Sequence, residues 1–173
     1  MVVVIETKRL ILQEMTDEDF TALSNVLRDR DGKPYDDEYI WRWINWCKKS
    51  YKENRFGHYA VVYKETGEMI GSAGISMQYI NFSWKPEIGY HLKSDYRRQG
   101  LGKEMALAIR DFFFNNFSYS AVYSYMDNDN IASAKTAESI GMKFVQLFSD
   151  KNGDTYRVYK LTREEWKALL PQK

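Results

Sequence analysis

The densest chemistry in this 173-residue chain lies between Glu87 and Met105, much of it in one turn, Arg97-Arg98-Gln99-Gly100-Leu101-Gly102. The segment reads as strand, short loop, glycine-containing turn and helix. A helix N-terminus leaves N–H groups without intrahelical acceptors at the positive end of the dipole, which makes it a site for an anion. Glycines at 100 and 102 let backbone approach a diphosphate where a Cβ would obstruct it, and Arg97 and Arg98 add positive charge. The plainer reading is a loop glycine and a solvated arginine pair ahead of an ordinary helix. Two familiar phosphate-binding patterns fail. The third glycine of a dinucleotide fingerprint falls at Met105, and Gly102-Lys103 is followed by Glu104 where a P-loop carries Ser or Thr for magnesium. A diphosphate-binding turn of another kind remains. Upstream, strand alternation sets Glu87, Gly89 and His91 on one face, so a carboxylate and an imidazole lead toward the turn. His58 has no such context and reads as structural.

These residues need a scaffold, and the periodicities supply one. Arg9 to Met15 reads as a first strand, and Thr16-Asp17-Glu18-Asp19 as a helix start, followed by Phe20, Leu23 and Leu27 at helical spacing. A second helix begins at Asp36 or Asp37, with Ile40, Ile44, Cys47 and Tyr51 on one apolar stripe. His58 to Tyr63 and Met69 to Met77 read as a hairpin across Glu65-Thr66-Gly67-Glu68. Glu87 to Leu92 is a strand, Leu101 to Phe114 a helix, and Ala121 to Met126 a strand. Asn130 to Ile140 is a helix that Gly141 stops. Phe144 to Phe148 and Tyr156 to Leu161 are strands around Asp150-Lys151-Asn152-Gly153, and Arg163 to Leu170 is a short helix. The order predicts an α/β or α+β fold around one sheet. No linker, repeat or low-complexity tract divides the chain, so one domain over 1–173 is expected.

Composition narrows the function classes. Apolar residues are 44% and aromatics 16%, without an apolar run near the ~20 residues that a membrane span needs. The opening Met1-Val2-Val3-Val4-Ile5-Glu6 lacks the basic region and cleavage site of a signal peptide. Cys47 is the single cysteine, which excludes an intrachain disulfide and a C-x-x-C metal or redox site; no metal is expected, and a cytoplasmic setting is. With 25 basic against 24 acidic side chains there is no global field for nucleic acid or an anionic membrane.

The turn resembles that of the GNAT acetyltransferase superfamily, (Arg or Gln)-x-x-Gly-x-(Gly or Ala), through Arg97, Gly100 and Gly102. The likeness continues through Glu87-Ile88-Gly89-Tyr90, Glu6-Thr7-Lys8-Arg9-Leu10, and Asn130-Ile131-Ala132-Ser133 with Gly141. The pattern is similar to the branch holding the Rim-type ribosomal-protein, spermidine and aminoglycoside acetyltransferases. That resemblance implies acetyl-CoA as cofactor and a mixed, mostly antiparallel sheet, flanked by helices and splayed between its fourth and fifth strands, here Glu87 to Leu92 and Ala121 to Met126. It further implies that the Leu92 backbone polarises the thioester, that Leu92 and Lys93 pair with pantetheine, and that amides of Arg98, Gln99, Gly100, Leu101 and Gly102 hold the pyrophosphate. Asn130 would bond the pantetheine arm. Ser94 departs from the proline of many relatives.

Acetyl transfer to an amine needs a base for the nucleophile, a donor at the carbonyl, and a proton for the thiolate. Glu87 stands where related enzymes place a glutamate base; the alternative is a solvated strand-end carboxylate. His91 is a relay or the base itself, or else a half-buried structural histidine. Many relatives use a tyrosine seven residues after the asparagine as acid, but that position is Ala137. Ser133 matches the Rim-type serine and could serve the sulfur, or bond backbone one turn back.

The expected acceptor is a primary amine, on a small molecule or a protein N-terminus. Tyr35-Asp36-Asp37-Glu38-Tyr39 with Trp41 and Trp43 would suit a cationic one. The plainer reading has the acids capping the second helix and the tryptophans filling the core. The competing functions are a catalytically inactive CoA-binding sensor and an interaction module, and the resemblance is compatible with a homodimer.

Overall fold

The computed structural model describes residues 2–171. One eight-stranded sheet organises them, built from β1 (Val3–Glu6), β2 (Leu10–Glu14), β3 (His58–Tyr63), β4 (Met69–Ile80), β5 (Ser83–Leu92), β6 (Ala121–Asp127), β7 (Lys143–Ser149) and β8 (Thr155–Thr162). The spatial order is β1-β2-β3-β4-β5-β6-β8-β7. Every neighbouring pair is antiparallel except β5 and β6, which run parallel and register at a single pair, Glu87 with Tyr123. The sheet is therefore splayed at the expected place. An edge strand unseen in the sequence, β1, makes the two strands the fifth and sixth.

The hairpin before the splay is longer than its hydrophobic alternation suggests. β4 and β5 pair continuously from Gly71 with Leu92 to Ile80 with Ser83, and turn over Asn81 and Phe82, both at positive φ (46° and 62°). Two successive left-handed residues match the right-handed twist of the flanking strands, and Asn tolerates that conformation well. Pro86 sits inside β5 without costing a ladder bond. Lys93 N–H donates to Ile70 O of β4 at 2.9 Å, so odd-numbered residues of β5 point their backbone groups at β4 and even-numbered ones point away.

Helices cover both faces. On one lie α1 (Phe20–Asp31) and α2 (Asp37–Asn54), whose Leu23, Leu27, Ile40, Ile44 and Cys47 pack with Met15, Ala60 and Met69. On the other lie α3 (Leu101–Asn116), α4 (Ile131–Ser139) and α5 (Arg163–Leu169), where Met105, Ile109, Phe113, Ala137 and Trp166 join Tyr59, Val61, Ile75 and Ile88 of the sheet. Asp36 caps α2 by accepting from Tyr39 N–H at 2.7 Å, and Thr162 and Glu165 form a reciprocal cap on α5. Among the described residues no helix is long and apolar enough to cross a membrane.

Candidate active site

The splay creates the site. Past Glu87 the edge of β5 that faces β6 has no strand partner, and by the alternation above Leu92 N–H points into the opening. A cavity of about 720 Å³ occupies it. Residues from both faces of the sheet line this one space: Trp43, Glu87 and His91 on the α2 side, Tyr90, Asn130 and Ser133 on the α4 side.

The turn at 97–102 stands at the head of α3. Arg98 and Gly100 have positive φ (57° and 79°), and Gly100 is the helix cap with no side chain to serve the first-turn N–H groups. No side chain caps those donors. A Cβ on Gly102 would find only Leu92 Cδ1, at 3.8 Å, so the glycine leaves open space beside the end of β5. Two braces hold the turn in place. Arg9 donates from Nη1 to Gln99 O at 2.9 Å and from Nε to Glu104 at 2.7 Å, while Thr7 Oγ1 and Arg9 N–H also donate to Glu104, at 2.7 and 2.8 Å. Burial raises the Glu104 pKa, but these bonds outweigh it and hold the carboxyl below its ordinary value. The Thr7 and Arg9 of the opening motif thus act on the turn.

The second brace runs through Arg97. Its guanidinium donates to Leu92 O at 2.8 Å and to Asp29 at 2.9 Å, and Asp29 also accepts from Ser94 N–H and Ser94 Oγ at 2.7 Å each. Arg97 shapes the loop, so its charge is already met by a carboxylate; Arg98 and Gln99 stay exposed. Lys93 is also engaged within the protein. Its N–H goes to Ile70 O, its carbonyl accepts from Tyr96 N–H, and its Nζ pairs with Glu68 at 2.5 Å, so of residues 92 and 93 only Leu92 presents its N–H to the gap.

Glu87 lies at the foot of the cavity and is 6% exposed. Burial pushes its carboxyl up to about 8, against the pull of hydrogen bonds from Ser76 Oγ (3.1 Å) and the Tyr125 backbone. It is not a solvated strand-end carboxylate. His91 shares the cavity, and so does a residue the sequence did not single out: His58, buried at the start of β3. A Cβ on Gly89 would lie 3.1 Å from His58 Nε2 and 3.2 Å from Glu87 Oε2, so the histidine and the carboxylate converge over this glycine. The signal was a register: His58 pairs with Gly74, and Gly74 with Gly89. Two glycines stand in line beside one histidine.

On the α4 side Asn130 caps the helix by accepting from Ser133 N–H at 3.1 Å, and Tyr90 OH donates to Ser133 O at 3.0 Å. Ala137 is fully buried in the core. The acids of the second-helix opening stay away from the cavity: Asp36 caps, Glu38 lies 3.9 Å from Arg42, and Asp36, Asp37 and Glu38 are all absent from the lining. The aromatics divide. Tyr39 and Trp43 line the cavity, whereas Trp41 packs against Phe20, with ring centroids 4.6 Å apart and planes tilted by 32°.

The model of the acetyltransferase (GNAT) domain matches residues 9–143. Over 144 residues the chain is 31% identical to uncharacterized protein YkkB of Bacillus subtilis strain 168, covering 80% of this chain and 84% of that one. An acetyltransferase from Agrobacterium tumefaciens superposes with a TM-score of 0.78 at 26% identity, over 93% of this chain and 95% of its own. RimL, a ribosomal L7/L12 α-N-protein acetyltransferase solved in complex with coenzyme A, shares the fold with a TM-score of 0.77 at 15% identity, over 94% and 98%. The chain belongs to the GNAT acetyltransferase family, and it is an acetyltransferase whose cofactor is acetyl-CoA.

Proposed function

We propose that the chain moves the acetyl group of acetyl-CoA to a primary amine by direct attack in a ternary complex, with Glu87 as the base. The observation that carries this reading is the buried Glu87 carboxyl, held near a pKa of about 8 where the sheet opens. A base poised near working pH both sheds its proton readily and accepts one from an ammonium. His58 and His91 lie beside it to pass that proton outward.

The bare backbone at Gly100 and Gly102 fits a diphosphate, and the Leu92 N–H aimed into the gap fits a carbonyl oxygen. Acetyl-CoA supplies the thioester carbon that the amine attacks and the thiolate that leaves as the C–S bond breaks. In this reading amides of residues 98 to 102 hold the pyrophosphate, Asn130 takes the pantetheine arm, and Ser133 donates toward the sulfur. A covalent acetyl-cysteine is disfavoured. Cys47, the single cysteine, is fully buried with its thiol pushed up to about 12 by burial.

The test is thiol release from acetyl-CoA with a panel of primary amines, followed by mass spectrometry of the acceptor. Amine-dependent release, with one acetyl added per thiol, is expected. Acetyl-CoA binding without release would favour the sensor, and no thermal shift with CoA would leave the interaction module.

A further inference from the structure

The cavity's walls carry an inference about the acceptor, and it rests on the transfer reading above. We propose that the acceptor is a small monoamine with a flat aromatic body, whose amino group meets Glu87 and whose ring lies against the indoles of α2.

The α2 side of the cavity is a continuous wall of rings. Trp43 meets Trp46 at 6.4 Å between centroids, His58 at 5.8 Å and His91 at 6.3 Å, and Tyr39 extends the wall at 6.2 Å. Trp46 is 41% exposed although it borders a cavity, so an apolar face is left for a ligand to cover. Across the space stand Tyr125 and Tyr156, edge to face at 5.5 Å. Two aromatic walls with a carboxyl at the foot suit a planar body ending in an amine.

Charge argues against acceptors with several ammonium groups. A polyamine or aminoglycoside carries several ammonium groups, which are best held by several carboxylates. Among the described residues the lining offers two, Glu87 at the foot and Asp127 at the exposed end of β6, and it also carries Arg42, whose guanidinium lies 5.7 Å over the Tyr39 ring. A second ammonium beside Arg42 would be repelled.

The experiment compares kcat/KM with saturating acetyl-CoA for tryptamine, 2-phenylethylamine, hexylamine, spermidine, kanamycin and a hexapeptide with a free N-terminus. Ring stacking should favour tryptamine over hexylamine by about tenfold or more, and Trp46→Ala should shrink that ratio toward one. 2-Phenylethylamine, which unlike an indole does not absorb where tryptophan is excited, should also change the intrinsic tryptophan fluorescence of the wild-type protein, a readout independent of turnover. Preference for spermidine, kanamycin or the peptide overturns the aromatic class while leaving amine acetylation intact. Equal rates for tryptamine and hexylamine overturn it as well. No thiol release with any acceptor overturns both this inference and the transfer reading.

Discussion

His58 Nε2 and Glu87 Oε2 converge on the space above Gly89, at 3.1 and 3.2 Å from where its Cβ would stand. The two side chains come from strands on either side of β4, and only a residue without a side chain at 89 lets them share one space. Gly89→Ala should therefore displace the pair. A misplacement of a few tenths of an ångström at a base is expected to lower kcat by about tenfold or more, with CoA affinity changed less than about twofold. Steady-state kinetics with CoA titration checks it; an unchanged kcat would mean that the pair has no shared task.

The turn has a parallel test. Gly100 is at φ +79°, and its Cβ would meet Arg9 Nη2 at 3.4 Å. Gly100→Ala should cost about 1–2 kcal/mol in stability from the left-handed conformation. Gly100→Glu adds a negative charge at the proposed pyrophosphate site, so its Kd for CoA should rise at least about tenfold beyond that of the alanine variant. Calorimetric titration separates the two effects, and equal affinities would place the diphosphate elsewhere.

Asp29 and Arg97 stand 68 residues apart in the chain and 2.9 Å apart in space. Both side chains are partly exposed, so the ion pair contributes about 0–1 kcal/mol and the two Ser94 bonds to Asp29 about 0.5–1.5 kcal/mol each. Asp29→Ala should free Ser94 and Arg97 and loosen the loop that presents Leu92, which should weaken CoA binding by about tenfold. Acceptor KM at saturating acetyl-CoA should move much less. Unchanged CoA affinity would show that the latch is dispensable.

Glu87 also has a signature in stability. Its folded pKa of about 8 lies above the ordinary 4.5, so the folded state holds a proton that the unfolded chain releases between these values. The stabilisation from the neutral buried carboxyl is complete below 4.5 and is lost as pH rises through about 8. Glu87→Gln does not titrate. Its melting temperature relative to wild type should rise from pH 5 to pH 9, by several degrees and at most a few kcal/mol. A constant difference across that range would show that Glu87 titrates normally.

Much of the architecture was legible because it is local. Alternation and 3.6-residue periodicity located the helices and most strands, and the types at 97–102 marked a glycine turn at the head of α3. Glu87 and His91 were placed on one face by strand alternation alone. What escaped depends on register or on distant partners. β1 is four residues at an edge, the hairpin tip at Asn81 and Phe82 interrupts the apolar pattern, and His58 gains its context from two glycines on neighbouring strands. Arg97 looked free to meet a ligand because Asp29 lies on α1. Asp36 and Glu38 looked like an acceptor site, but their nearest uses are a helix cap and an i,i+4 pair.

The central claim is that Glu87 takes the amine's proton, and the pH dependence of kcat/KM for wild type and Glu87→Gln tests it most directly. The wild type should show a rising limb with an apparent pKa of about 8, separate from the acceptor's own ionisation. Glu87→Gln should lose that limb and fall by about 10²- to 10⁴-fold, with CoA affinity preserved. A variant that keeps both the limb and the rate would contradict Glu87 as the base.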